Sequence, residues 1–156
     1  LGVYRPELLD TVTEVARSLG YTDALFVHGL DGLDEISLMG PTRINELHAG
    51  QVKTYEITPE QLGLTRCGLE DIKTGTPQSN AECIRAVFSG KLRGPRRDAI
   101  LLNAAGALLI GQRVASLREG IQLAAELIDS GAANRKLQEL GEASKAYGAK
   151  REGAHA

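Results

Sequence analysis

Three carboxylates, Asp31, Asp34 and Glu35, crowd into the stretch LFVHGLDGLDEIS (Leu25 to Ser37), set around Gly29 and Gly32 just after an apolar run that ends in His28. A hard divalent cation such as Mg2+ prefers oxygen ligands, keeps several waters, and is commonly held by one or two carboxylates together with substrate phosphates. The adjacent pair Asp34 and Glu35 could serve one ion directly and another through water. The same composition also describes a solvated turn, since Asp and Gly are both turn formers. Local spacing does not choose between the two. Asp31 reads as a turn or cap residue.

Other chemistry-bearing residues are sparser. His28 closes an apolar run and reads first as a structural side chain, with acid–base work as the alternative because imidazole titrates near neutrality. His48 lies in a turn and His155 near the C-terminus. Lys91, Arg93, Arg96 and Arg97, with Arg85 nearby, make a basic run around GKLRGPRR. Arg suits phosphate geometry, so a phosphate clamp stands beside the plainer reading of a solvated interhelix loop. Asn103 interrupts an apolar segment, where an unpaired amide would be costly, so it should hydrogen-bond. The chain has neither a GxxxxGK[ST] nor a GxGxxG stretch, and so no phosphate-cradling glycine loop of its own.

The elements that must position these residues follow from periodicity. Leu8, Leu9, Val12, Val15, Ala16 and Leu19 fall at helical spacing between Pro6, suited to a first turn, and Gly20, suited to a stop. DALFVH (Asp23 to His28) is the short apolar run of a strand buried on both faces. With a strand beginning at LGVY this makes a strand–helix–strand crossover. The acidic loop then lies beyond the C-terminal end of a parallel strand, where open α/β sheets bind ligands. TRINEL and VKTYEI, joined by HAGQ with Gly50 in the turn, predict an antiparallel hairpin. TPEQLG, started by Thr58 and Pro59, and GLEDI are short helical turns leading to a break at TGTPQSN. A helix capped by Ser79 or Asn80 should run to Phe88 and stop at Gly90. Asp98 to Ile110, apolar on most of its circumference, should be central and buried. Ser116 with Glu119 predicts a capping box for a helix to Ile128. Gly131 separates that helix from one over Ala132 to Tyr147, and residues 148–156 read as a polar tail that frays. The expected domain is therefore 1–147. Its fold class is α/β: a partial, mixed and mostly parallel sheet flanked by helices, with an antiparallel hairpin and a helical C-terminal half.

With 156 residues and 42% hydrophobic content the chain fits one soluble globular domain. A net charge of −2 supplies no positive field for nucleic acid or acidic membranes, and neither partner is expected. Cys67 and Cys83 have neither zinc-knuckle nor CxxC spacing, so a reduced, cytoplasmic setting is the default. The longest apolar stretch falls short of the ~20 residues that span a bilayer. A chain that opens inside a strand is expected to be a piece of something longer, with uncovered apolar surface near Leu1 that tends to find partners.

Taken in order, LGVYRPELLDTVTEVARSLG, VHGLDGLDEISLMGPTRINEL, YEITPEQLGL, NAECIRAVFSG and PRRDAILLNAAGALLIG resemble the anthranilate phosphoribosyltransferase family, from Leu1 to about Tyr147. GLDEIS with the following GPTR is the most specific element. The resemblance covers only the second half of that family's chain. It implies the C-terminal part of a nucleoside phosphorylase/phosphoribosyltransferase α/β domain, without the N-terminal helical region through which the family dimerises and without its glycine-rich phosphate loop.

The implied activity is the second step of tryptophan synthesis from chorismate, transfer of a phosphoribosyl group from 5-phosphoribosyl 1-diphosphate to anthranilate with release of diphosphate. Mg2+ is the implied cofactor, and by similarity Asp34 and Glu35 match the family's acidic metal pair. No catalytic role is carried over for any residue, and His28, Arg43 and the basic loop receive none. A homodimer is implied for the full-length protein. The isolated chain is expected to be inactive. Two alternatives remain: an enzyme like the pyrimidine nucleoside phosphorylases, which lacks a diphosphate leaving group, and a non-catalytic interaction domain whose acidic loop is only surface.

Overall fold

A computed structural model of the protein describes residues 1–73 and 75–153, with side chains through residue 148. The chain opens with Leu1–Val3, which pairs in parallel with the middle of the first strand. Gly2 bridges Val27, and the Val3 and Val27 amides donate to Val27 and Leu1 carbonyls at 2.9 and 3.1 Å. A 3-10 turn over Pro6–Leu8 leads into helix α1 (Leu9–Ser18), and Gly20, at φ +87°, turns the chain out of it. Strands β1 (Asp23–Gly29), β2 (Thr42–His48) and β3 (Gln51–Ile57) then form an antiparallel sheet in the order β1-β2-β3.

The α/β class and the strand–helix–strand crossover stand as expected. Parallel pairing is narrower than expected. Within the described residues it is limited to Leu1–Val3 against β1, and the three longer strands are antiparallel. The apolar character of β1 led toward a mainly parallel sheet, because burial on both faces removes alternation whichever way the neighbours run. The hairpin formed as predicted, with a two-residue Ala49–Gly50 turn whose residues both have positive φ.

β1 shows how the layers are built. Phe26 packs with Val3 and Leu9 against α1, while Leu25 and Val27 face the other way. There they join Ile36, Leu38, Ile44, Leu102 and Ala105 in the main core. Helix α4 (Pro95–Ile110) supplies that second face and α5 (Leu117–Asp129) lies on it. α4 is thus the central helix of a helix–sheet–helix sandwich, as its apolar circumference predicted. Between sheet and α4 come a 3-10 turn (Glu60–Leu62), the short α2 (Leu69–Ile72) and α3 (Pro77–Phe88). Val87 of α3 packs with Leu101, Ala124 and Ile128 in a second, all-helical cluster.

Three boundaries differ from expectation. α3 is capped by Thr76, which accepts from the Ser79 amide, and begins at Pro77, while Asn80 turns back to the Gly75 amide. Pro at the first helical position behind a Thr cap explains the earlier start. α4 begins at Pro95 rather than Asp98 for the same proline reason. The last helix, α6, runs Ala132–Gly153, past Tyr147 and into the stretch expected to fray. The rest of that stretch, 154–156 with His155, lies outside the described residues. At α5 the predicted capping box is half formed: the Ser116 hydroxyl accepts from the Glu119 amide, but the Glu119 carboxylate accepts from the Ala115 amide, one residue before the cap, rather than from the Ser116 amide. Among the described residues no helix is long and apolar enough to cross a membrane.

Candidate metal-binding loop

The acidic stretch is the connection from β1 to β2, residues 30–41, and its backbone is tied at both ends. The Leu30 amide donates to the Pro41 carbonyl at 2.9 Å, the Gly29 amide to the Leu33 carbonyl at 2.8 Å, and the Gly32 amide to the Gly29 carbonyl at 2.8 Å. Gly32 sits at φ +100°, a conformation open to glycine and closed to most side chains.

Within this turn the three carboxylates divide. Asp31 is occupied: one oxygen accepts from the Leu33 amide at 3.2 Å and the other from the Ser37 hydroxyl. The Ser37 hydroxyl in turn accepts from the Met39 amide, and the Ser37 amide donates to the Thr42 hydroxyl. Asp31 is therefore an Asx-turn residue, the role its sequence position suggested. Asp34 and Glu35 are exposed, and no hydrogen bond or ion pair among the described residues engages either carboxylate.

Residues from distant parts of the chain hold the backbone beneath the pair. The Asn103 side chain of α4 accepts from the Ile36 amide at 2.9 Å and donates to the Ile36 carbonyl at 3.0 Å, across 67 residues of sequence. The same amide donates to Ala99, one helical turn back, at 3.1 Å. The Asn103 expectation is met, with the acidic loop as its partner. Gly2 lies against Asp34 so closely that a Cβ there would overlap the Asp34 carbonyl. Neither Gly2 nor the Ser37–Thr42 contact was singled out from sequence. Nothing in the linear order relates Gly2 to Asp34.

Among the described residues no group of three or more His, Cys, Asp or Glu side chains converges as a complete metal site. Two adjacent free carboxylates on a rigid turn nevertheless suit a cation that takes its other ligands from water and phosphate oxygens. Asp34 and Glu35 also border an open groove of about 1010 Å3 between α1 and α4, lined with apolar side chains such as Val15, Leu19, Leu25 and Ile110. This is the uncovered apolar surface expected near Leu1.

Of the other candidates, His28 and Arg97 make buried contacts within the fold. His28 is buried, and its Nδ1 lies 2.7 Å from the Val3 carbonyl. A carbonyl only accepts, so Nδ1 carries the proton and the ring pins Leu1–Val3 to β1. Arg43 sits opposite His28 in the β1–β2 ladder. The basic run is an exposed interhelix segment except at one residue: Arg85, Lys91, Arg93 and Arg96 are exposed, and Arg97 alone is buried. Arg97 is buried and pairs with Asp129 at 2.9 Å, Arg93 reaches the same carboxylate, and Arg96 donates to the Asp71 and Lys73 carbonyls.

Comparison with known proteins identifies the family and fold. The family described as "Glycosyl transferase family, a/b domain" matches residues 1–134. An anthranilate phosphoribosyltransferase of Symbiobacterium thermophilum is 49% identical over 142 residues, 91% of this chain and 41% of that protein. One from Desulfosudis oleivorans is 43% identical over 148 residues, 95% of this chain and 44% of that protein. Among solved structures, anthranilate phosphoribosyltransferase from Thermus thermophilus superposes with a TM-score of 0.80 at 38% identity, covering 89% of this chain and 40% of that one. The Saccharomyces cerevisiae enzyme in complex with PRPP and Mg gives 0.81 at 33% identity, over 88% and 40%. The chain thus spans about two fifths of the length of the relatives it matches.

Proposed function

The chain belongs to the glycosyl transferase family, a/b domain, and from that membership we propose that it forms part of an anthranilate phosphoribosyltransferase of tryptophan biosynthesis. Within that enzyme it supplies the carboxylate part of a magnesium–diphosphate site. The observation that carries this is the division of labour in the β1–β2 loop: Asp31 is consumed by the turn, while Asp34 and Glu35 stand free and side by side. The kinship with anthranilate phosphoribosyltransferases, one of them solved with PRPP and Mg, supports the substrate class.

In the proposed reaction the anthranilate amine forms a bond to the anomeric carbon of the ribose. The bond from that carbon to the diphosphate oxygen breaks, its electron pair leaves with diphosphate, and the amine releases a proton to water. Bound magnesium would stabilise the charge growing on the leaving group. Asp34 and Glu35 would hold the ion, directly or through water, and the loop hydrogen bonds limit reorganisation of the backbone that carries them. A nucleoside phosphorylase has no diphosphate to neutralise, so the free acidic pair favours the transferase. The full-length protein is proposed to act in the cytoplasm as a homodimer, with no nucleic-acid or membrane partner.

The test is a magnesium titration of the 15N-labelled chain with diphosphate present, followed by NMR. Shifts centred on Asp34 and Glu35 that vanish in Asp34→Asn/Glu35→Gln are the expected result. A response identical in the wild type and the double variant would overturn the site. In a coupled fluorescence assay the isolated chain should show no turnover.

A further inference from the structure

We propose that Asn103 is a positioning residue for the Asp34–Glu35 pair, acting with Gly2 as the second jaw of a clamp on the loop backbone; this rests on the metal-site function proposed above. Three observations converge on one short segment. Asn103 grips both backbone groups of Ile36, the residue directly after Glu35, at 2.9 and 3.0 Å. Its third bond, to the Ala99 carbonyl at 3.1 Å, uses the remaining amide hydrogen and fixes the side-chain rotamer against α4. Two residues earlier in the loop, Gly2 seats against the Asp34 carbonyl with no room for a Cβ.

The Ile36 side chain is itself anchored, since it is buried in the main core beside Leu102 and Ala105. One turn along α4, a Cβ at Gly106 would come within 3.2 Å of Ile36 Cδ1. Both ends of the Asp34–Ile36 backbone are therefore fixed by parts of the chain remote in sequence, while the two carboxylates between them remain unpartnered. A rigid backbone under free side chains is the arrangement that lowers the ordering cost of binding a cation. Residues that orient ligands in this way typically change metal affinity about 10–100-fold when removed.

The experiment uses Mn2+ with inorganic diphosphate as the probe. Affinity is read by electron paramagnetic resonance, and the site by paramagnetic broadening of 15N-labelled chain. Wild type is expected to lose the Asp34 and Glu35 signals first. Asn103→Ala is expected to bind at least tenfold more weakly, with an upfield move of the Ile36 amide proton and unchanged dispersion elsewhere. Should Asn103→Ala fail to fold, Gly2→Ala decides from the second jaw, with the same tenfold loss expected. Affinity within twofold of wild type in either folded variant overturns the clamp and leaves the metal site standing. Broadening that ignores Asp34 and Glu35 in the wild type overturns the site and the clamp together.

Discussion

At the scale of single residues, the molecule relies on a few amides and hydroxyls whose partners are far away in sequence. Asn45 on β2 is fully buried and donates to the Asp10 carboxylate at 2.9 Å and the Thr13 hydroxyl at 3.1 Å on α1, while accepting from Thr54 on β3 at 2.9 Å. One side chain thus ties a helix to two strands. Asn45→Ala leaves Thr13 buried without that partner, and the expected cost is about 1–3 kcal/mol, seen as a lower urea midpoint at unchanged slope. Asn103 plays the corresponding part on the other face of the sheet. From sequence alone Asn103 could be identified as a hydrogen-bonding residue by its contrast with its neighbours, whereas Asn45, in an alternating strand, resembled an ordinary polar position.

At the scale of elements, α4 and α5 pack by close backbone approach. A Cβ on Gly120 would lie 2.8 Å from the Ala105 Cβ and 2.9 Å from its Cα. Backbone cannot yield as a flexible side chain can, so Gly120→Ala should force the helices apart. Overpacking of this kind costs about 1–3 kcal/mol, more than the helix propensity gained. A calorimetric melt should show the midpoint falling by about 2–4 °C for each kcal/mol lost. Strand and helix placement was largely legible, because amphipathic periodicity, the Gly50 turn and the Ser116–Glu119 cap are local signals. The starts of α3 and α4 were placed late for a local reason as well: Thr76–Pro77 and Pro95 were read as loop, although proline favours the first turn.

At the scale of the whole molecule, acid response follows from surface carboxylates whose pKa values folding depresses. Arg66 holds Glu60 down to about 2, Arg17 lowers Glu14, and the Thr22 hydrogen bond followed by His48 lowers Asp23. A depressed carboxylate contributes stability that is complete above its unfolded value, 4.5 for Glu and 3.8 for Asp. That contribution is lost as pH falls through the folded value. Asp98 opposes this, since burial raises its pKa and protonation relieves it. With three groups against one, the urea midpoint should fall between pH 5 and pH 2, and less steeply at 1 M salt, where exposed pairs are screened. A midpoint that stays flat or rises over this range would count against these pairs.

The sequence by itself determined the α/β class, the order of elements, the hairpin and the acidic loop after β1, because each is written in neighbours a few residues apart. It also carried the family resemblance on which Asp34 and Glu35 were singled out. Tertiary structure decided which carboxylates remain free. Asp31 is consumed by Ser37 and the Leu33 amide, Arg97 alone of the basic run is buried, against Asp129, and Gly2 and Asn103 meet the loop backbone at Asp34 and Ile36. Hydrogen bonds and steric contact act at about 3 Å regardless of chain separation. Their partners therefore emerge only when the chain is folded.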